Sequence, residues 1–445
     1  MSDKMGTIKK HLSFTSLRVL ISKVFRKIPD ERQPNKIDYS LHDVLMSGFA
    51  CMHFQDPSLL QFQKRLQDEQ NKNNLKTLFD VKDVPKNSQL RKVIDTVDSQ
   101  EFAPIFKEFY CRLQRGKHLE QYQLFPNQYY FPIDGSTFYT SKEVHCEQCL
   151  TKNHSNGSIS YSHCVLQGGI MHPDCPNVIP FMPEQICNGD GNNKQDCEMN
   201  AAKRFVDKVT TDFPRLGLIF GGDSLLSRQP IIEQILSEKQ HYLFVAKPGD
   251  HKYLMEWIGA YEYLYKVTFV DQKGRTHIYE WMNDVPLHGG KESINVNFLR
   301  CRVIGTDKNG LEKNVYTNSW VTDLFVSDDN IVELVRGGRC RWKVENEVFN
   351  VMKNDGYCME KNFGHGDNNL CFNFYLLTLL AFLTHQIFEL TDGLYKKCRK
   401  KFGSKRHMWE RIRSYICIII FDTWESLLEF ALKPTKYKLN IAAAP

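Results

Sequence analysis

Features that would place this chain in a specialised class are largely missing from its sequence. The first 25 residues lack the uninterrupted apolar stretch and small-residue cleavage site of a secretory signal. The chain has no internal repeat and no low-complexity tract. Apolar residues make up 42% and charged residues 25%, which is typical of a globular protein and argues against extended disorder. The net charge of only +6 permits an acidic partner such as DNA without requiring one.

The fourteen cysteines are spaced irregularly, so they do not form the framework of a disulfide-rich secreted domain. Together with the missing secretory signal, this spacing predicts reduced thiols in a cytoplasmic protein.

Two apolar stretches, at 370–390 and 414–432, permit either a membrane hairpin or a pair of buried helices. The first stretch carries Asn373, His385 and Gln386, and the second carries Asp422, Glu425 and Glu429, all of which are costly in hydrocarbon. The sequence therefore favours a buried helix pair and no membrane association.

Residues 1–115 show helical spacing of apolar clusters and a basic start, which predicts an N-terminal helical domain. Its basic side chains fit a DNA-binding domain, although a solvated charged face explains the charge equally well.

The remainder of the chain reads as an α/β core. Runs of β-branched and aromatic residues, broken by Gly, Pro and Asn, predict three strands, a helix, a strand, a helix and a strand within 125–260. A β-rich insertion of short strands follows at 261–330, with hairpin turns at 271–274 and 307–310. The core resumes as a helix within 331–365, and 366–445 forms a C-terminal helical region.

Two aspartates are predicted to end strands of this core. Asp134 follows QYYFPI and Asp223 follows RLGLIFGG, and each precedes a small or turn-forming residue. Separated residues at strand ends of an α/β core converge into one site. A lone aspartate more often caps a turn or a helix, so the two positions gain weight only when taken together.

A third acid lies in the segment RWKVENEVF. If residues 340–353 form an α-helix, Glu345 shares one face with Arg341, Val348 and Phe349, while Lys343 and Glu347 lie on the opposite face. Glu345 would then point toward the apolar interior, where a carboxylate needs a metal or an ion pair. A buried pair with Arg341 is the alternative.

These motifs resemble the DDE transposases of bacterial insertion sequences, in particular the insertion-sequence-four-like branch. The resemblance extends over nearly the whole chain and rests on IDGST at 133–137, GGDSLL at 221–226, VAKPGDHKYL at 245–254 and RWKVEN at 341–346. It implies a ribonuclease-H-like core in which Asp134, Asp223 and Glu345 are catalytic and hold two Mg²⁺ ions, replaceable by Mn²⁺. It also implies that water first frees a 3′-OH at the inverted terminal repeats, and that this 3′-OH then attacks target DNA. A homo-oligomer is expected in the DNA complex.

Several other residues are assigned to the same site. Basic residues expected to contact DNA are Lys247, Arg341 and Lys353, although the family's helix places its lysine one position earlier and has tyrosine where Gly338 stands. His172, Asp196 and Glu198 also resemble family positions, and Glu198 either buttresses the site or supplies charge to a helix N-terminus.

The pair Cys146 and Cys149 has the two-residue gap of a zinc knuckle, and His154 and His163 are near in sequence. These four residues form a candidate Zn²⁺ site, with buried thiols and turn residues as the alternative. For the chain as a whole, two rival functions stay open: a metal-dependent nuclease that cuts without joining, and a catalytically inactive relative that binds DNA.

Overall fold

The computed structural model describes residues 11–66, 69–188, 197–261, 263–307, 310–360 and 363–436. The protein is mixed α/β with helical N- and C-terminal regions, as predicted, and it contains a large mixed sheet. Two compact units make up the chain. Unit 1 contains Met1–His118, Phe138–Ser162 and Val348–Pro445, and unit 2 contains Leu119–Thr137 and His163–Glu347.

The N-terminal helices begin at serine caps. Ser13, Ser40 and Ser58 each accept a hydrogen bond from the backbone N–H three residues later, which stabilises a helix start. Every residue of the second helix is buried, so this helix forms the centre of the N-terminal region. The helices are α1 (Phe14–Phe25), α2 (Leu41–His53), α3 (Leu59–Arg65), α4 (Glu69–Phe79), α5 (Asn87–Asp95) and α6 (Ala103–Arg115).

Six strands follow, then helices alternate with single strands, and four further strands precede the last helix of this part. In chain order they are β1 (Gln123–Phe125), β2 (Gln128–Ser141), β3 (Leu150–Asn153), β4 (Ile159–Ile170), β5 (Ile179–Pro180), β6 (Glu184–Ile186), α7 (Glu198–Asp212), β7 (Gly217–Gly222), α8 (Gln229–Ser237), β8 (His241–Val245), α9 (Lys252–Gly259), β9 (Tyr265–Val270), β10 (Thr276–Pro286), β11 (Asn295–Thr306), β12 (Glu312–Thr322) and α10 (Ile331–Arg339).

The sheet of unit 2 combines parallel and antiparallel pairs. Strands β2, β7 and β8 are parallel neighbours, while β4 pairs antiparallel with β5 and β6. Strand β8 pairs antiparallel with β12, and β12, β11, β10 and β9 follow as an antiparallel meander. In unit 1, β3 pairs antiparallel with the first residues of β4.

The β-rich segment differs from the prediction in two ways. Its strands β10 to β12 are long, with 11 or 12 residues each, and the β12–β8 pairing makes the segment a continuation of the core sheet. Local patterns mark turns but not the distant strand on which a hairpin pairs. The turn at 271–274 forms as predicted, with Gly274 at φ +73°, while the turn predicted at 307–310 includes residues 308 and 309, which lie outside the described residues.

The C-terminal region contains α11 (Asn350–Asn354), α12 (Leu370–Thr391), α13 (Gly393–Phe402), α14 (Lys405–Ile416) and α15 (Trp424–Leu432). Helix α12 is long and apolar enough to cross a membrane, but 94% of its most apolar window is buried inside the protein. Its Asn373 amide donates to the carbonyls of Ile94 and Val97, so the buried polar group is satisfied. The second predicted helix is not continuous, because α14 ends at Ile416 and α15 begins at Trp424.

Candidate active site

The register of β2 against β7 brings Asp134 and Asp223 to one edge of the parallel pair. Phe131 pairs with Phe220 and Pro132 pairs with Gly221, and two positions further along each chain lie the two aspartates. Side chains two positions apart in a strand point to the same face. The expectation that Asp134 ends its strand is wrong, since β2 continues to Ser141. The pairing of β2 with β7 ends at Pro132 and Gly221, just before Asp134. Beyond this point the two strands no longer hydrogen-bond to each other, and the two aspartates lie where they part.

Backbone N–H groups hold both carboxylates. Asp134 Oδ1 accepts from the N–H of Gly135 at 3.0 Å. Asp223 Oδ1 accepts from the N–H groups of Leu225 at 2.9 Å and Leu226 at 3.4 Å, so this residue also caps the turn after β7. Asp223 can therefore cap the turn and also serve in a site, because Oδ1 accepts both turn hydrogen bonds and Oδ2 takes part in neither.

Glu198 joins the two aspartates from the first turn of α7. A methyl group placed on Gly135 would lie 2.8 Å from Glu198 Oε1, so the carboxylate packs directly on this glycine. The cap residue Cys197 makes no side-chain hydrogen bond to the helix, and Glu198 is the acidic residue of the first turn. Sequence reasoning favoured a helix-terminus role for Glu198, and only the fold places it beside Asp134.

Burial and neighbouring negative charge raise the pKa of two of these acids. Burial raises the pKa of Asp134, and the negative charge of Asp223 raises it further, against the opposing effect of Arg341. Burial also raises the pKa of Glu198, with the charges of Asp134 and Asp223 adding to the shift. Partly buried carboxylates near further negative charge form a site that a cation would stabilise.

The donor set fits Mg²⁺. Asp134, Asp223 and Glu198 offer only carboxylate oxygens, which are the ligands that Mg²⁺ and Mn²⁺ prefer. Arg341 supplies positive charge, as its Nη1 donates to Asp134 Oδ2 at 2.8 Å. The guanidinium is predicted to contact DNA, and in this structure it is paired with the acid.

The Glu345 segment is not the α-helix that the face argument assumed. Helix α10 ends at Arg339, and Val344–Phe349 forms a π-helix. Glu345 is exposed and Glu347 is half-buried, so the prediction that Glu345 points into the apolar interior is wrong. In a π-helix each N–H bonds five residues back, which changes the angle between successive side chains. The faces drawn with 3.6 residues per turn therefore do not apply here.

Lys343 also differs from the prediction. It was placed on the solvent or DNA face, yet it is buried and its ammonium donates to the carbonyls of His172 at 2.8 Å and Cys175 at 2.6 Å. A lysine has three donors and no acceptor, so a cluster of carbonyls satisfies it inside the protein. Lys343 thus fixes the loop after β4, and His172 contributes its backbone oxygen to this contact.

The remaining assigned residues lie as follows. Lys247 is exposed after β8, and its carbonyl accepts from the N–H groups of Asp250 and His251. Lys353 in unit 1 forms an ion pair with Glu360 at 2.8 Å. Asp196 lies outside the described residues.

Sequence reasoning missed a run of basic residues on α13 and α14. The signal was present in the segment KKCRKKFGSKRHMWERIR at 396–413, where half of the positions are Lys or Arg. Six of these side chains are exposed and are called here the C-terminal basic surface: Lys396, Lys397, Lys400, Lys401, Arg406 and Arg411.

Of the zinc candidates, His154 lies apart from the cysteine pair in the structure. Cys146 and Cys149 lie together in unit 1, and the third side chain of their cluster is His365, from the segment before α12. His154 lies outside this cluster, with Nε2 at 2.8 Å from Ser160 Oγ. His163 is buried on β4 in unit 2, and its role as a ligand stays a prediction. All fourteen cysteines are thiols in this structure.

One comparison with known proteins gives a result for the N-terminal region. The family model described as DDE_Tnp_1-associated matches residues 22–110, which run from the end of α1 into α6. No curated protein matches the chain. The matched family is named for its association with DDE transposases, and the match points to a transposase-family protein.

Proposed function

We propose that this protein is a DNA transposase of the insertion-sequence-four-like branch, which cuts DNA at inverted terminal repeats and joins the ends to target DNA. The observation that carries the proposal is the convergence of Asp134, Asp223 and Glu198 around Arg341 at the open edge of β2 and β7. The family match at 22–110 is independent of these residues and supports the same function.

The sheet supports a ribonuclease-H-like core for unit 2. Antiparallel pairing of β4 with β6, a bridge between Tyr130 of β2 and Met171, and the parallel series β2, β7 and β8 form one mixed sheet. Helix α7 connects the antiparallel part to the parallel part. In this arrangement the first acid lies on a central strand and the second follows its parallel neighbour.

The carboxylates are assigned to metal binding. Asp134 and Asp223 would hold the metal ions, Glu345 is proposed as the third ligand from the resemblance, and Glu198 would contribute a further carboxylate next to Asp134. Bound Mg²⁺ or Mn²⁺ would lower the pKa of the attacking water or 3′-OH and would neutralise negative charge on the phosphodiester. Arg341 donates to Asp134 in the structure, and its guanidinium is proposed to bind a DNA phosphate when DNA is present.

DNA contacts are assigned to exposed basic residues. Lys247 lies in the loop after β8 in unit 2. In unit 1, the N-terminal helical region and the C-terminal basic surface offer cations to the DNA backbone, where most protein–DNA hydrogen bonds form. Such contacts position DNA without reading its sequence.

The test is a product analysis with Mg²⁺. Labelled DNA carrying the sequences that flank the protein's own reading frame is incubated with the purified chain and with a plasmid target. Joined products support the transposase, cut products alone identify a nuclease, and retention without cutting identifies an inactive DNA-binding relative. Asp134→Ala serves as the control, because the proposal expects neither cut nor joined products from this variant while binding stays within a few-fold.

A further inference from the structure

A second group of potential metal ligands lies in unit 1, apart in sequence from the acids described above. It includes Cys146 and Cys149, in the turn between β2 and β3, and His365, in the segment before α12. Their sulfur and nitrogen atoms all lie within 4.8 Å of one another. His365 and Cys149 are buried, and Cys146 is half-buried.

The distances fit tetrahedral zinc. With Zn–S of ~2.3 Å and Zn–N of ~2.0–2.1 Å, a tetrahedron separates two sulfurs by about 3.8 Å and a sulfur from a nitrogen by about 3.6 Å. The Cys146 and Cys149 sulfurs are 3.9 Å apart, and the Cys149 sulfur is 3.5 Å from His365 Nε2. A disulfide requires sulfurs about 2.05 Å apart, so the observed separation matches a shared ion better than an S–S bond.

The surroundings also orient the ligands as a zinc site requires. His365 Nδ1 is 2.6 Å from the carbonyl oxygen of Gly366, so Nδ1 carries the proton and Nε2 presents its lone pair to the sulfurs. The ring packs on Tyr139, with centroids 4.7 Å apart. The N–H of Cys149 donates to the carbonyl of Cys146 at 3.2 Å, which closes the turn and brings both thiols to one side.

We propose that Cys146, Cys149 and His365 bind one structural zinc ion. The ion ties the β2–β3 turn to the segment before α12, two parts of unit 1 that are more than 200 residues apart in sequence. Two thiolates and an imidazole are typical zinc ligands, and structural zinc contributes directly to folding. Tetrahedral zinc takes a fourth ligand; the sequence offers His154 and His163, and His154 lies outside the cluster. This inference is independent of the proposed DNA chemistry.

The test begins with the unmodified chain. Metal analysis of protein purified without chelator is expected to give about one zinc per chain. Replacement of the zinc by Co²⁺ is expected to give the visible absorption of a tetrahedral site with thiolate ligands, a readout that requires no variant and no enzymatic activity. Cys146→Ser, Cys149→Ser and His365→Ala should each lose most of the zinc. A parallel loss in His163→Ala would identify the fourth ligand.

Matched variants exclude general effects. Cys417→Ser removes an exposed cysteine and His154→Ala removes a histidine outside the cluster, so both should keep their zinc. Absence of zinc from the unmodified protein, or zinc content unchanged in the Cys146→Ser and Cys149→Ser variants, would overturn the proposal. A thiol titration that finds Cys146 and Cys149 oxidised in the purified, zinc-free chain would replace the zinc site with a redox-active disulfide.

Discussion

Gly135 and Glu198 pack against each other in the candidate active site. Adding one methyl group at Gly135 should therefore disturb the position of the Glu198 carboxylate. Gly135→Ala places Cβ about 2.8 Å from Glu198 Oε1, so the carboxylate must turn away from Asp134. Because the obstacle is the end of a flexible side chain, the free energy of unfolding should change by less than about 1 kcal/mol. DNA cleavage should fall by about 10- to 100-fold, as expected when a reacting group is displaced by about 1 Å.

The control for this substitution is Gly249→Ala, because a methyl group there meets no atom within 4 Å. Its cleavage rate and unfolding curve should match those of the unmodified chain. Equal cleavage by both alanine variants would show that the position of Glu198 does not matter for the chemistry.

His53 predicts a dependence of stability on pH. Its ring is buried among aromatic side chains, including Trp409 and Trp424, and burial lowers its pKa to about 3. The unfolded chain, with a histidine pKa near 6.5, therefore binds a proton that the folded chain excludes. The stabilisation present above pH 6.5 is lost as the pH falls toward 3, by up to about 1.4 kcal/mol per pH unit.

Denaturant unfolding at pH 7, 6 and 5 measures this effect. His53→Phe keeps an aromatic ring and removes the titrating group, so the free energy of unfolding should fall less steeply with decreasing pH than in the unmodified chain. The comparison uses slopes, so a constant loss of stability in the variant does not affect it. Identical slopes in the two proteins would contradict the assigned cause.

Single residues differ in how far their sequence context determines their role. Asp134 and Asp223 could be assigned to one site from the sequence, because each follows an apolar strand pattern. Glu198 could not be placed, since an acid in a first helical turn is equally well explained by the helix dipole. Its proximity to Asp134 depends on how α7 packs against β2, which no local pattern encodes.

At the scale of elements, the π-helix at Val344–Phe349 bears on which glutamate would serve as the proposed third metal ligand. The α-helical face argument fails there, yet the resemblance still assigns Glu345. Glu345→Gln keeps the size and the hydrogen-bonding groups of the side chain and removes its charge. DNA cleavage should fall on the order of 10²- to 10⁴-fold with folding preserved.

Glu347→Gln is the matched substitution two residues along, and it should leave cleavage nearly unchanged. Single-turnover cleavage rates and thermal unfolding of both variants make the comparison. If Glu347→Gln is inactive and Glu345→Gln is active, the half-buried Glu347 is the ligand and the register of this segment has been misassigned.

Elements were predictable where their signal is local. Alternating and buried apolar runs gave strands β2, β7 and β8 and helices α7 and α8, and the buried character of α12 followed from the polar residues within it. The pairing of β12 with β8 could not be predicted, because it depends on contacts between distant strands. The π-helix could not be predicted either, because the apolar spacing of this segment fits an α-helix.

For the whole molecule, we expect the C-terminal basic surface to make DNA affinity fall as the salt concentration rises. Replacing Lys397, Lys400 and Arg411 by glutamine removes up to three phosphate contacts. The slope of log affinity against log salt should become shallower by about 2 to 3, and binding at low salt should weaken on all DNA sequences alike. Fluorescence anisotropy at several salt concentrations measures the slope.

Three exposed lysines of unit 2, Lys266, Lys291 and Lys313, provide the control with the same loss of charge. Their glutamine variant should keep the slope of the unmodified chain. The same decrease in both triple variants would indicate that net charge, rather than this surface, governs DNA affinity.

The central claim is that the acids at the edge of β2 and β7 perform metal-dependent cleavage of DNA, and Asp223→Asn tests it most directly. Asparagine retains an oxygen that accepts from Leu225 and Leu226, so the turn and the fold should persist while the charge is lost. The measurement is the single-turnover cleavage rate with Mg²⁺, taken together with DNA retention and thermal unfolding of the same preparation. The account predicts a loss of cleavage on the order of 10³-fold with retention and unfolding unchanged; cleavage by Asp223→Asn at the rate of the unmodified chain would contradict it.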